Sequence, residues 1–116
     1  MLAHDATARD TARHLRKVIG ALMEKGRCQP DIQSVAALMN TSVRTLQRRL
    51  REIGLTYAGI VQQARCAEAR QMLKDGGRNI GEIARALGYS DHAHFTRAFQ
   101  RWTGVTPHAF RRRRRS

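Results

Sequence analysis

Arg44, Gln47, Arg48 and Arg51 recur at helical spacing, so that on a helix turning about 100° per residue they share one face. That face offers three guanidinium forks and one carboxamide. A guanidinium presents two parallel donors that match a pair of planar acceptors, such as the guanine edge, and a carboxamide can donate and accept at once toward adenine. Thr45 and Arg49 flank the face, where they are better aimed at phosphates than at bases. A second set, His92, Ala93, Thr96, Arg97 and Gln100, has similar spacing and weaker chemistry. Ala93 and Thr96 are small enough to touch a thymine methyl group, and Arg97 can take a guanine or a phosphate.

No arrangement in the chain suits covalent or acid–base catalysis. His4, His14, His92, His94 and His108 are scattered, and His92 and His94, at i and i+2, do not share a helix face. Neither a phosphate-cradling glycine loop, a paired carboxylate nor a metal-ligand cluster can be found, so the expectation is no enzyme, no metal and no cofactor. Cys28 and Cys66 lack CxxC spacing and are expected to stay reduced, in a cytoplasmic setting.

The elements that must carry these faces occur twice. Ile32, Val35, Ala36 and Met39 recur 48 positions on as Ile80, Ile83, Ala84 and Leu87. Each set has the i, i+3, i+4, i+7 spacing of a helix with one buried stripe. Each stripe is followed by a turn, Asn40-Thr41-Ser42 or Gly88-Tyr89-Ser90, and Asn and Gly are the residues that best accept a left-handed backbone there. A second stripe follows each turn: Leu46, Leu50 and Ile53, then Phe95, Phe99 and Trp102. The offset has grown to 49 by then, and either Ser90 or Asp91 can cap the later helix.

Leu15, Val18, Ile19, Leu22 and Met23 mark a leading helix, residues 56–75 a long connector whose Cys66, Ala69, Met72 and Leu73 read as core, and Asn79 with Glu82 a capping-box start. Thr106 before Pro107 opens a short closing helix over about 106–110. The fold class is therefore all-α: seven helices in two tandem helix-turn-helix subdomains joined by a connector helix. The expected organisation is a flexible segment over 1–9, a domain over 10–110 (first unit 10–55, connector 56–75, second unit 76–110) and a basic tail over 111–116. The recognition helices are expected at about 42–53 and 91–103. A connector of about 20 residues spans roughly 30 Å, close to the roughly 34 Å between successive major-groove faces of one duplex.

The charge points the same way. Twenty-two Lys and Arg against 9 Asp and Glu give +13 over 116 residues. Five of these charges form the run 111–115, and without them the rest would keep +8, so a polyanion is the expected partner of the domain itself. No apolar run is long enough to cross a bilayer.

At this point the chain resembles the DNA-binding domain of the AraC/XylS family of bacterial transcription regulators, over about residues 10–111. Ile83-Ala84, Leu87-Gly88-Tyr89, Phe95-Thr96-Arg97, Phe99, Trp102 to Pro107 and Phe110-Arg111 look like the family signature, and Ser42, Leu46-Gln47-Arg48 and Leu50 match its first recognition helix. The resemblance implies base reading by Arg44, Gln47, Arg48, His92, Ala93, Thr96 and Arg97. Ser42, Thr45, Arg49, Arg51, Gln100 and Arg111 are expected on the DNA backbone.

The resemblance further implies double-stranded DNA as partner, an asymmetric promoter site, activation through RNA polymerase, and a ligand-sensing or dimerisation domain outside this chain. Asn40 stands where the family often has Gly, and Ala93 where a longer polar residue is common. The competing expectation is a non-specific nucleic-acid or architectural binder driven by charge alone. The low aromatic content of 5% leaves such a binder without a stacking platform for single strands.

Overall fold

The computed structural model describes residues 2–115, with side chains described over 7–113. Among these residues the chain forms seven helices and no strand: α1 (Leu2–Glu24), α2 (Ile32–Leu38), α3 (Val43–Glu52), α4 (Tyr57–Asp75), α5 (Ile80–Ala86), α6 (His92–Thr103) and α7 (Pro107–Arg115). No helix is long and apolar enough to cross a membrane.

Two boundaries differ from the sequence expectation. The segment over 1–9 was expected to be flexible, yet α1 starts at Leu2. Ala8 continues the stripe of Ala12, Leu15, Ile19 and Met23 by one more helical step and is fully buried. Alanine is the best helix former, but it adds little to a hydrophobic pattern, which hides the extension. The basic tail over 111–116 is likewise helical as far as Arg115, because arginine is also a good helix former and neither Gly nor Pro follows Pro107. Met1, Ser116 and the side chains of His4, Arg114 and Arg115 lie outside the described residues.

The chain divides into two compact units, Met1–Ala64 and Arg65–Ser116. The division falls inside α4.

In the first unit α1 packs on α2 and α3. Ala12, Leu15, Ile19 and Met23 meet a core completed by Val35, Ala36, Leu46, Leu50 and Ile60, all at most 2% exposed. Fully burying a side chain of Leu or Ile size contributes about 1.5–3 kcal/mol, so this stripe dominates the unit's stability. Ile32, Met39 and Ile53, expected in the same stripes, are only half-buried at its margins. The Tyr57 hydroxyl donates to the Pro30 carbonyl at 2.7 Å and so ties the start of α4 to the segment before α2.

In the second unit α5, α6 and α7 close over the C-terminal half of α4, with Ala69, Leu73, Ile80, Ile83, Ala84, Leu87, Phe95 and Phe99 buried. Met72, read as core, is half-buried. Tyr89, Phe95, Phe99, Trp102 and Phe110 form a continuous aromatic cluster, with ring centroids 5.6–6.5 Å apart in tilted or edge arrangements. That spacing is favourable for aromatic quadrupoles.

The sequence repeat is also a backbone repeat. After α2, Thr41 N donates to Ala36 O and Asn40 N to Ala37 O; after α5, Tyr89 N donates to Ala84 O and Gly88 N to Arg85 O, all at 2.9–3.0 Å. This paired closure satisfies the last carbonyls and requires a left-handed residue. Asn40, at φ 56°, and Gly88, at φ 90°, supply it.

Candidate nucleic-acid interface

The first candidate face is built by α3. Ser42 stands at its N-cap with extended backbone and accepts from Thr45 N at 3.1 Å, which fixes where the helix starts and hence which residues point outward. Leu46 and Leu50 are buried at 0% and 1%, so the opposite side is committed to solvent. Arg44, Gln47, Arg48 and Arg51 are all exposed there, as the spacing predicts.

Arg48 has one internal neighbour, Glu52, with Nε 3.8 Å from Oε1 and the Arg48 side chain 56% exposed. The Glu52 side chain is only 19% exposed, but at 3.8 Å the pair is long and Arg48 itself stands mostly in solvent, so the fork remains available to a competing acceptor.

Two residues expected at phosphates make internal hydrogen bonds. Arg49 is half-buried and donates from Nη1 to Thr11 Oγ1 on α1 at 3.4 Å. Arg111 donates from Nε to the Leu73 carbonyl at 3.2 Å, at the end of α4, with its Nη2 buried and unpartnered. Helical spacing placed Arg49 beside a solvent face and the resemblance placed Arg111 at the backbone, but neither could reveal that α1 and α4 supply acceptors there. Ser42 is spent as a cap, and Thr45 is half-buried beside it.

The second face is built by α6. Asp91 is its N-cap and accepts from His94 N at 2.8 Å, which decides between the two candidates for that position. Ser90 instead places its Oγ 3.3 Å from His94 Nδ1. Phe95, Ala98 and Phe99 are buried. His92, Ala93, Arg97 and Gln100 are exposed and Thr96 is half-buried, so the five candidates share the outward side. This face carries one guanidinium among the positions assigned to bases, where the first carries two.

The capping box expected for α5 is present. Glu82 N donates to Asn79 Oδ1 at 2.8 Å, and Asn79 N donates to Glu82 Oε1 at 2.9 Å. Spacing arguments missed Arg65, which lies within α4 and gives no sign on a helical wheel of the contacts it makes with the α5–α6 turn. They also passed over Arg9, Arg13, Arg16 and Lys17 on α1, whose shared face was legible.

A profile of the helix-turn-helix domain family matches residues 35–113, which run from within α2 to within α7. This chain belongs to the AraC-type helix-turn-helix family of transcription regulators. The ornithine utilization regulator of Pseudomonas aeruginosa is 38% identical over 82 residues, a stretch covering 71% of this chain and 24% of that protein. This AraC-type chain thus spans about a quarter of the length of that relative.

Among solved structures, a transcriptional regulator with an AraC-type DNA-binding domain from Chromobacterium violaceum matches with TM-score 0.74 and 25% identity, covering 88% of this chain and 93% of that one. The DNA-binding domain of AdpA, a global transcriptional factor solved in complex with a target DNA, matches with TM-score 0.69 and 26% identity, covering 87% and 92%. The family is one of DNA-binding regulators and not of enzymes.

Proposed function

We propose that this chain is the DNA-reading part of a transcription regulator, and that α3 and α6 enter successive major-groove faces of one asymmetric promoter site. The observation that carries this reading is the outward side of α3, where Arg44, Gln47, Arg48 and Arg51 are all exposed above a fully buried Leu46 and Leu50. Long polar side chains on a helix whose register is fixed by a cap are what direct readout of base edges requires. α3 and α6 lie one in each compact unit, so a single chain carries both faces. In this reading α3 supplies most sequence information, and α6 anchors with a looser preference because Ala93 is short.

The rest of the proposal follows from the family. The regulator acts as an activator contacting RNA polymerase, in the bacterial cytoplasm on the nucleoid, with a ligand-sensing or dimerisation domain beyond the residues described. The much greater length of the ornithine utilization regulator supports that last point.

The test is a competition titration at fixed salt. Arg48→Ala should weaken binding to a selected duplex by about 1–3 kcal/mol and relax preference at one base pair, with little effect on a random duplex. Equal losses on both duplexes would show that the arginine supplies charge alone.

A further inference from the structure

Arg9, Arg13, Arg16 and Lys17 line one cleft of ≈ 490 Å³ in the first unit, together with Ala12 and Ile53. No acidic residue lines it. Arg13 is 3.0 Å from Asp10, in a pair whose side chains are 68% and 71% exposed. Cations at i, i+4 on one helix face repel one another, as Arg9 with Arg13 and Arg13 with Lys17 do here, so the cluster disfavours α1 unless something negative occupies it.

The floor narrows what that occupant is. Ala12 is 1% exposed and Ile53 half-buried, so the base of the cleft is apolar and only its rim is cationic. A row of phosphates gains nothing from an apolar floor, whereas an acidic segment that also carries leucines satisfies both parts. Ile53 lies just past the last turn of α3, nine residues beyond Arg44 and so about 180° round the helix from it. α3 therefore contributes to the cleft from its core side and not from the face assigned to DNA.

We propose that this cleft docks an acidic, leucine-bearing segment of a partner protein while α3 holds DNA. The simultaneous occupancy rests on the DNA reading above; the cleft itself does not.

The probe is a synthetic amphipathic peptide of glutamates with leucines at i, i+3 and i+4, titrated into the isotope-labelled chain, free and bound to a selected duplex. Amide shifts are expected at residues 9–17 and 53 in both states. Arg13→Glu/Arg16→Glu should weaken the peptide by about tenfold or more and leave duplex affinity within about twofold. Lys74→Glu/Arg78→Glu, an equal charge change outside the cleft, should leave peptide binding intact. Replacing the leucines by serine should also weaken it, because the apolar floor then has no partner.

Shifts spread along residues 44–51, or equal losses for the two charge reversals, would overturn the proposal in favour of general attraction to an acidic peptide. Loss of duplex affinity with a shallower salt dependence for Arg13→Glu/Arg16→Glu would overturn it in favour of a phosphate-binding surface. Failure of the unmodified chain to prefer any duplex would sink the DNA reading, while the titration of the free chain would still decide the cleft. If the reversal fails to fold by circular dichroism, the neutral pair Arg16→Gln/Lys17→Gln carries the same comparison.

Discussion

The Arg65 guanidinium lies 4.4 Å from the centroid of the Tyr89 ring, and its Nη2 donates to the Leu87 carbonyl at 2.8 Å. One side chain from α4 thus holds both sides of Gly88, the residue that turns α5 into α6. Tyr89 in turn packs on Phe95 and Trp102, so the direction in which α6 leaves the turn depends on this contact.

Arg65→Ala should therefore lower the stability of the second unit by about 2 kcal/mol, from a lost cation–π contact and a carbonyl left without its donor. Thermal unfolding checks the loss. Arg65→Lys should recover only part of it, since an ammonium cannot stack flat on the ring.

Arg48 and Arg49 are adjacent and should behave oppositely. Arg49→Ala removes the half-buried contact to Thr11 and should cost about 1 kcal/mol of folding stability with base preference retained. Arg48→Ala removes an exposed side chain with one long pair to Glu52, and should cost under about 1 kcal/mol of stability while weakening the specific complex. Measuring stability and duplex preference on both variants separates the two roles, and matching profiles would contradict the assignment.

The capping box at α5 gives a second stability test. Asn79→Ala should cost about 1 kcal/mol, because the first turn of α5 loses its acceptor for Glu82 N. Denaturant titration should show a lower midpoint with the slope unchanged.

Alkaline pH should weaken the first unit through Tyr57. Burial, with the nearby charge of Asp31 as the smaller cause, pushes its phenol up from 10.0 to about 12. The folded chain thus keeps a proton that the unfolded chain loses first, so this contribution is full below pH 10 and is lost as pH rises through 12. Burial also raises the Tyr89 hydroxyl and the Cys66 thiol, which adds a loss of the same sign in the second unit. Tyr57→Phe should have a shallower fall in stability over this pH range, read by fluorescence from alkaline unfolding curves.

Much of this was legible in the residues themselves. Two four-residue stripes 48 positions apart, Asn40 and Gly88 after them, and the second stripes of Leu46 and Phe95 marked α2, α3, α5 and α6. The Leu15 stripe, the run 57–75 and Thr106-Pro107 marked the other three, because helical period and cap chemistry are local properties. The exposed faces of α3 and α6 followed from the same period. What local pattern could not carry was the extra turns of α1 before Ala12, written in alanine, and the fates of Arg49 and Arg111. Those two arginines bond to Thr11 and Leu73, each 38 residues away in the chain, and only the packed units bring the partners together.

Whether the two faces read one asymmetric site is tested by selection from a pool of random duplexes at near-physiological salt, followed by sequencing of the bound fraction. Tandem reading should yield a two-part, non-palindromic motif with halves about one helical turn apart and the stronger preference in the half assigned to α3. Recovery of no motif, with retention following ionic strength alone, would contradict it and leave an electrostatic binder built on a regulator's scaffold.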